Sequence, residues 1–330
     1  MMKGKLFYFL IFAPFLISCS GYVFHTLPDL DGPSGRAMGI NNRGDIVGYC
    51  ETGAGDFHAV LWEGGAATDL GTLGGDNSYA FAINDDGVVV GYSHTADGKM
   101  HAFMWRDGIM TDIHDTELPP INESYARAIN IGESIAGTVG YGGVMWRTPD
   151  DYVWLLDGSG LSGPSDAHDI NDSNQVVGWH HSSDEAFIWE DGLMEILPHL
   201  GINRSRAYGI NNAGQVVGNV VDPDSHEEQA AIWEGGAPPV LLGSLGGPYS
   251  RANDINNSGT IVGAAKKADD ATVPFYYKLS DGDMTELMNI GSGSARAVNN
   301  NGVIVGHAVN SAGDDKPVKW VWSRVRWPWE

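Results

Sequence analysis

The stretch Ala80-Phe81-Ala82-Ile83-Asn84-Asp85-Asp86-Gly87-Val88-Val89-Val90-Gly91 decides the fold, because the chain repeats its pattern seven times. It reads as a short strand, a tight turn of Asn, Asp and Gly, and a second strand. The other copies centre on Ile40-Asn41, Ile129-Asn130, Ile170-Asn171, Ile210-Asn211, Ile255-Asn256 and Val298-Asn299. The successive spacings are 43, 46, 41, 40, 45 and 43 residues. A period of this size points to a propeller, a solenoid or an array.

Outward from this hairpin, each repeat adds two more strand-like segments. The third reads His58-Ala59-Val60-Leu61-Trp62, His101-Ala102-Phe103-Met104-Trp105 or Glu185-Ala186-Phe187-Ile188-Trp189. The fourth is short and ends in Leu-x-x-Leu, as at Leu70/Leu73, Leu197/Leu200 and Leu242/Leu245. Four strands in about 43 residues is the size of one propeller blade. Columns within the chain sharpen the reading. Ala stands three residues before the Ile/Val in all seven copies, Asn follows it, and Gly comes seven residues after the Asn. The Ala suits an innermost strand crowded by its neighbours. The Asn suits hydrogen bonding within its own turn and tolerates left-handed angles. The late Gly suits a close backbone approach or a bend. Trp62, Trp105, Trp146, Trp189, Trp233 and Trp320, with Tyr277 in the remaining place, read as plugs between blades.

The ends decide open array against closed ring. Val23 to Leu30 resembles the fourth strand of a blade that lacks its other three, and the last repeat supplies those three. The expected fold is therefore all-β: a seven-bladed β-propeller of four-stranded antiparallel blades, closed by pairing N- and C-terminal strands so that no edge is orphaned. The tail Trp322 to Trp327 competes for the same outer place. In this division residues 1–18 are a signal peptide and 19–330 a single domain. Its closing strand is 22–34, and its repeats start near 35, 78, 124, 165, 205, 250 and 293.

The leader carries Lys3 and Lys5, an apolar run from Leu6 to Leu16, and then Leu16-Ile17-Ser18-Cys19. That ending resembles the lipobox of bacterial lipoproteins, which implies acylation of Cys19 and a membrane partner through the lipid. Ser20 after the cysteine implies sorting to the outer membrane. Only Cys50 then remains, so no disulfide is expected. Nothing beside it has the basic setting that makes a thiol reactive. A formal net charge of −23 excludes nucleic acid as a natural ligand.

In antiparallel blades the second-to-third turns share a face with the blade-to-blade links. Those turns are long and unlike one another, as at Glu51–Phe57 and Val221–Gln229. Variable loops on a rigid scaffold are where binding resides. Toward that face the inner strands begin with Arg36, Tyr79, Tyr125, Arg206 and Arg251, four residues before the Ile/Val. Arg127, His168, Tyr208 and Arg296 stand two residues before it. Five of the 11 Arg fall in these two columns. Gathered at the channel mouth, they would bind a carboxylate or phosphate through the forked geometry of Arg. The structural alternative has them stacking on Tyr and pairing with Asp166, Asp169 and Asp254. No metal-binding, nucleophile-elbow or phosphate-loop motif is legible, and no cofactor is expected.

With His101-Ala102-Phe103, Thr111-Asp112-Ile113 and Asp69-Leu70-Gly71-Thr72-Leu73-Gly74-Gly75 in view, the chain resembles the HAF-repeat family of extracellular repeat proteins, over residues 22 to about 322. The blade at 123–160 departs most from that pattern. The resemblance implies export and repetition, and brings no catalytic motif. The expectation is a non-enzymatic binding, adhesion or scaffold module for a protein, glycan or small anion. The alternative is a propeller hydrolase or lyase acting on a glycan or peptide.

Overall fold

The computed structural model describes residues 20–114, 123–156 and 163–324; Cys19 and the leader before it lie outside them. The described residues form seven four-stranded antiparallel sheets in a ring, with no helix among them. The chain is a seven-bladed β-propeller. Blade 1 shows the plan: Asp31–Ile40 is innermost, followed outward by Ile46–Thr52, Phe57–Glu63 and Ala66–Asp69. Blade 7 is built from both ends of the chain. Gly293–Val298, Ile304–Val309 and Asp315–Arg324 are followed outermost by Ser20–Thr26, in register from Ser20 opposite Arg324 to Thr26 opposite Val318. The N-terminal strand thus closes the ring and covers the edge of the last repeat. Segment 22–34 is divided between two blades, since the inner strand of blade 1 begins at Asp31.

Two of the three leucine pairs belong wholly to the links, while Leu242 lies inside the fourth strand Val240–Gly243 and only Leu245 follows it. Ala66–Asp69 ends before Leu70, and Leu193–Ile196 ends before Leu197. Their side chains fill the seams between blades. One seam joins Val47, Ala59 and Leu70 of blade 1 to Ala80, Ile83, Val89 and Phe103 of blade 2. Another joins Ala37, Ile46, Val60 and Trp62 to Val305 of blade 7. Because each core cluster is shared, no blade buries its apolar face alone. The tryptophans sit in these seams, five of them buried and Trp105 partly so. Four also donate Nε1 to a carbonyl 32–35 residues back in the preceding link, at Pro28, Ile113, Pro198 and Met288. A phenylalanine would fill the space without this tether.

The three columns have distinct causes. The seven Ala are fully buried. The late Gly faces the carbonyl of the residue before that Ala: a Cβ on Gly91 would lie 1.9 Å from the Tyr79 oxygen, and Gly218 would be as crowded against Arg206. Any side chain there would force the first two strands apart. The Asn does more than shape its turn. Each Asn Oδ1 accepts from the backbone N–H four residues on, as at Asp45, Val88 and Gln215. Each Nδ2 donates to the carbonyl of the next Asn: Asn41 to Asn84, then to Asn130, Asn171, Asn211, Asn256 and Asn299, and from Asn299 back to Asn41 at 2.9 Å. Seven side chains close a hydrogen-bonded ring around the axis.

The left-handed angle in these turns falls three residues after the Asn, not on the Asn itself. Gly occupies that place in five blades, with φ of 75–93°. Glu133 and Asn174 take it in blades 3 and 4, at φ 64° and 62°. A non-Gly residue there is strained, most of all the longer Glu.

Two outcomes follow for stability. Asn211→Ala removes a donor to the next blade and leaves buried groups unpaired, so denaturant unfolding should show a loss of about 2–4 kcal/mol. Glu133→Gly relieves strain and loses only an exposed ion pair to Arg106. It should gain about 0.5–1 kcal/mol in the same measurement.

Candidate functional site

Each inner strand carries a register shift immediately after its conserved Ala, the mark of one extra residue facing a regular second strand. The bulged residue is Met38, Phe81, Arg127, His168, Tyr208, Asn253 or Arg296, in blade order. Freed from the ladder, these seven line a cavity of about 240 Å³ on the propeller axis, joined by Arg251 from the column before. Next along the axis come Asp169 and Asp254, facing the lumen beside small Gly39, Ala82, Ala128 and Ala297. Gly39 shows why that layer is small: a Cβ there would meet the Phe81 oxygen at 2.6 Å. The seven Ile/Val and the Asn ring complete the channel toward the opposite face.

Charge is distributed unevenly in this cavity. The Nε atoms of Arg127, Arg251 and Arg296 are buried without a hydrogen-bond partner. None of the three guanidinium groups forms an ion pair among the described residues. Arg251 lies over Tyr208 at 5.2 Å, and Arg127 over Phe81 at 5.9 Å. Burial and the neighbouring Arg251 and Arg36 pull Arg296 down to about 10. Burial, then the Arg127 charge, push His168 down to about 3, so its imidazole is neutral. Burial, reinforced by Asp254, raises Asp169 to about 8. Burial raises Asp254 to about 6. Both carboxylates are tied to the main chain. Asp169 accepts from Ile170 N–H and, across the seam, from Ile210 N–H; Asp254 does the same with Ile255 and Val298.

Of the nine expected residues, Arg127, His168, Tyr208, Arg251 and Arg296 line the cavity. The other four stand outside it. Arg36 is clamped by Asp315 at 2.7 Å. Arg206 stacks 4.4 Å over Trp179 and reaches Asp184 at 3.4 Å. Tyr79 and Tyr125 belong to an aromatic arc across blades 1–3, running Tyr49, Tyr79, Tyr92, Tyr125 at centroid spacings of 4.8–5.0 Å. The aspartates that pair with these outer arginines are therefore Asp315 and Asp184, not Asp169 or Asp254. Asp166 accepts from Thr138 and contacts His181.

Asp169 and Asp254, expected as partners of the arginines, line the channel instead; Met38, Phe81 and Asn253 carried no expectation in the sequence. Their signal was there: the position between an invariant Ala and the Ile/Val holds six residue types in seven repeats. A column that varies inside a strict repeat faces neither strand nor seam. The His of the HAF tripeptide also has a role. His58 and His101 contact Asp69 and Asp112 through Nδ1 at 2.8 and 2.7 Å, clasping the third strand to the end of the fourth. Cys50 is buried, with its thiol pushed up to about 12 by that burial.

No protein-family model and no curated protein sequence matches the chain. Solved propellers match its fold. A catalytically inactive virginiamycin B lyase from Staphylococcus aureus, bound to quinupristin, is 13% identical. The match covers 91% of this chain and 99% of that one, with a TM-score of 0.59. A puromycin hydrolase is 14% identical over 91% of this chain and 55% of that one, TM-score 0.54. A lectin from Burkholderia pseudomallei is 13% identical over 90% and 98%, TM-score 0.50. Enzymes and a binding protein share the architecture, so the likeness shows the fold alone.

The aspartates give the site a pH signature. Asp169 keeps its proton to about pH 8 in the folded chain and loses it near pH 4 when unfolded. The folded state binds the additional proton between those values, so the contribution of Asp169 to stability falls as pH rises. His168 and His307, both held neutral by burial, act in the opposite sense below about pH 6.5, so the net fall runs from about pH 6.5 to 8. Thermal melts across that range should show the fall, and Asp169→Asn should flatten it. Equal slopes in the two proteins would mean that the carboxyl is already ionised.

Proposed function

We propose that the chain is a HAF-repeat lipoprotein that binds a small anionic ligand in the channel beneath its variable-loop face. Export through the leader and a lipid on Cys19 would hold the propeller at the bacterial outer membrane. There it acts as a binding module rather than a catalyst. The observation that carries this reading is the convergence of Arg127, Arg251 and Arg296 on one cavity, their buried Nε atoms without partners. Three cations from three blades, none in an ion pair among the described residues although Asp166 lies near Arg127 and Asp169 and Asp254 lie in the next layer, make a site complementary to an anion. The aromatic arc and the long loops around the mouth suit contact with a larger body bearing such a group.

The enzyme reading has one specific observation in its favour. A carboxyl that keeps its proton at neutral pH and an unprotonated imidazole share the cavity, as an acid and a base would. Against it, both oxygens of Asp169 accept main-chain N–H groups from two blades, which is the work of a brace. His168 packs edge-on against Tyr208 at 5.1 Å. Binding accounts for more of the site.

Calorimetric titration of the exported domain with acetate, benzoate, phosphate and sulfate tests the reading. At least one should bind, and Arg251→Ala with Arg296→Ala should weaken it by tenfold or more, about 1.4 kcal/mol. Binding by none, or equal binding by the variant, would overturn it. Loss of radiolabelled palmitate incorporation in Cys19→Ser would support the tether, and its persistence would refute it.

A further inference from the structure

The cavity is not uniformly basic. In blade order Met38 and Phe81 are neighbours, and they form an apolar arc on blades 1 and 2. Arg296 flanks that arc from blade 7 and Arg127 from blade 3, with Arg251 beside Arg296 on blade 6. The opposite wall is polar and uncharged: neutral His168, Tyr208 and Asn253. Asn253 spends its Nδ2 on Ser294 Oγ and the Ala295 carbonyl, so it acts as a fixed wall. Small Gly39 and Ala82 lie next along the axis below the apolar arc and leave its floor open.

This arrangement distinguishes among anions. An inorganic ion would satisfy the guanidinium groups and leave Met38 and Phe81 against water. An anion with an apolar body would cover both, and burial of a ring-sized surface there adds about tenfold or more to affinity. At about 240 Å³ the cavity falls below the usual range for drug-sized ligands, so the body is small.

Resting on the anion-binding reading, we infer that the ligand is a small organic monoanion with an aromatic or branched apolar body. Its charged group lies between Arg251 and Arg296, and its body against Met38 and Phe81. Neither a bare inorganic anion nor a neutral aromatic compound fills both halves of the site.

The test is a calorimetric series on the exported domain with hydrocinnamate, benzoate, acetate, inorganic phosphate and the uncharged hydrocinnamamide. Hydrocinnamate or benzoate should bind about tenfold or more tightly than acetate and phosphate, and the amide should not bind. Phe81→Ala should erase the preference for the aryl acids and leave acetate binding in place. Met38→Glu keeps the test open should Phe81→Ala fold poorly. It supplies a carboxylate among the same guanidinium groups, so it should raise the thermal midpoint and abolish hydrocinnamate binding. Equal affinity for acetate, phosphate and aryl acids would overturn the ligand class while leaving anion binding intact. Equal affinity for the amide, or no binding throughout, would overturn both.

Discussion

The ring of asparagines is the constraint on which the rest of the propeller depends. Blade seams are apolar and specify little about rotation, since one greasy face slides on another at modest cost. A buried amide does not. Each Asn Nδ2 must find the carbonyl of the next Asn, and the seventh, Asn299, must find Asn41. That condition fixes seven inner strands at one height and one tilt. A second circle lies just outside, where backbone N–H groups bond the side chain after the next Asn, as Asn42 N–H does with Asp85. It is broken once: Ile131 offers no acceptor to Asp85 and stands 56% exposed. The inner circle is complete without it, so the fold tolerates the lapse.

The bulge makes the channel useful. With the Asn ring setting one end, a regular inner strand would turn alternate residues to the seams and leave the lumen to small side chains. One extra residue after each Ala breaks that alternation and delivers a large side chain to the axis in every blade. The late Gly of the second strand is part of the same device, since it makes room for the carbonyl of the residue before the Ala. Ala, bulge and Gly form a unit that repeats for structural reasons, while the bulged residue itself is free to vary. Architecture and chemistry are separated to adjacent positions.

That separation explains what was legible in the sequence. Blade number, strand count and ring closure all followed from columns, because each column answers a packing demand that seven blades share. Strand limits were less legible: Leu70 and Leu197 sit in links although they continue an apolar pattern, because a seam and a strand both select leucine. The candidate site was half visible. In the sequence the columns four and two residues before the Ile/Val form one set, as an unbroken strand would have it. The bulge divides them, so that Arg36, Tyr79, Tyr125 and Arg206 are held at the rim while Arg127, His168, Tyr208 and Arg296 enter the cavity, with Arg251 the one residue of the first column that reaches it. Asp169 and Asp254 read as partners for the arginines rather than as a pair facing the channel, because a single carboxylate beside an Ile has no pattern until the ring brings two of them together.

Net charge bears on what such a site admits. A chain of −23 repels polyanions, whose many charges must contact the outer surface before any one of them reaches the axis. A small monoanion meets a different field. Surface charges are screened beyond roughly 8 Å at physiological ionic strength, so the acidic exterior is nearly silent to a single charge approaching the channel. Within the cavity screening is weaker, and Arg127, Arg251 and Arg296 act more strongly on a bound charge than surface groups do. An acidic shell around a basic cavity therefore filters by size and charge number, which favours the small organic anion that the arc of Met38 and Phe81 also selects.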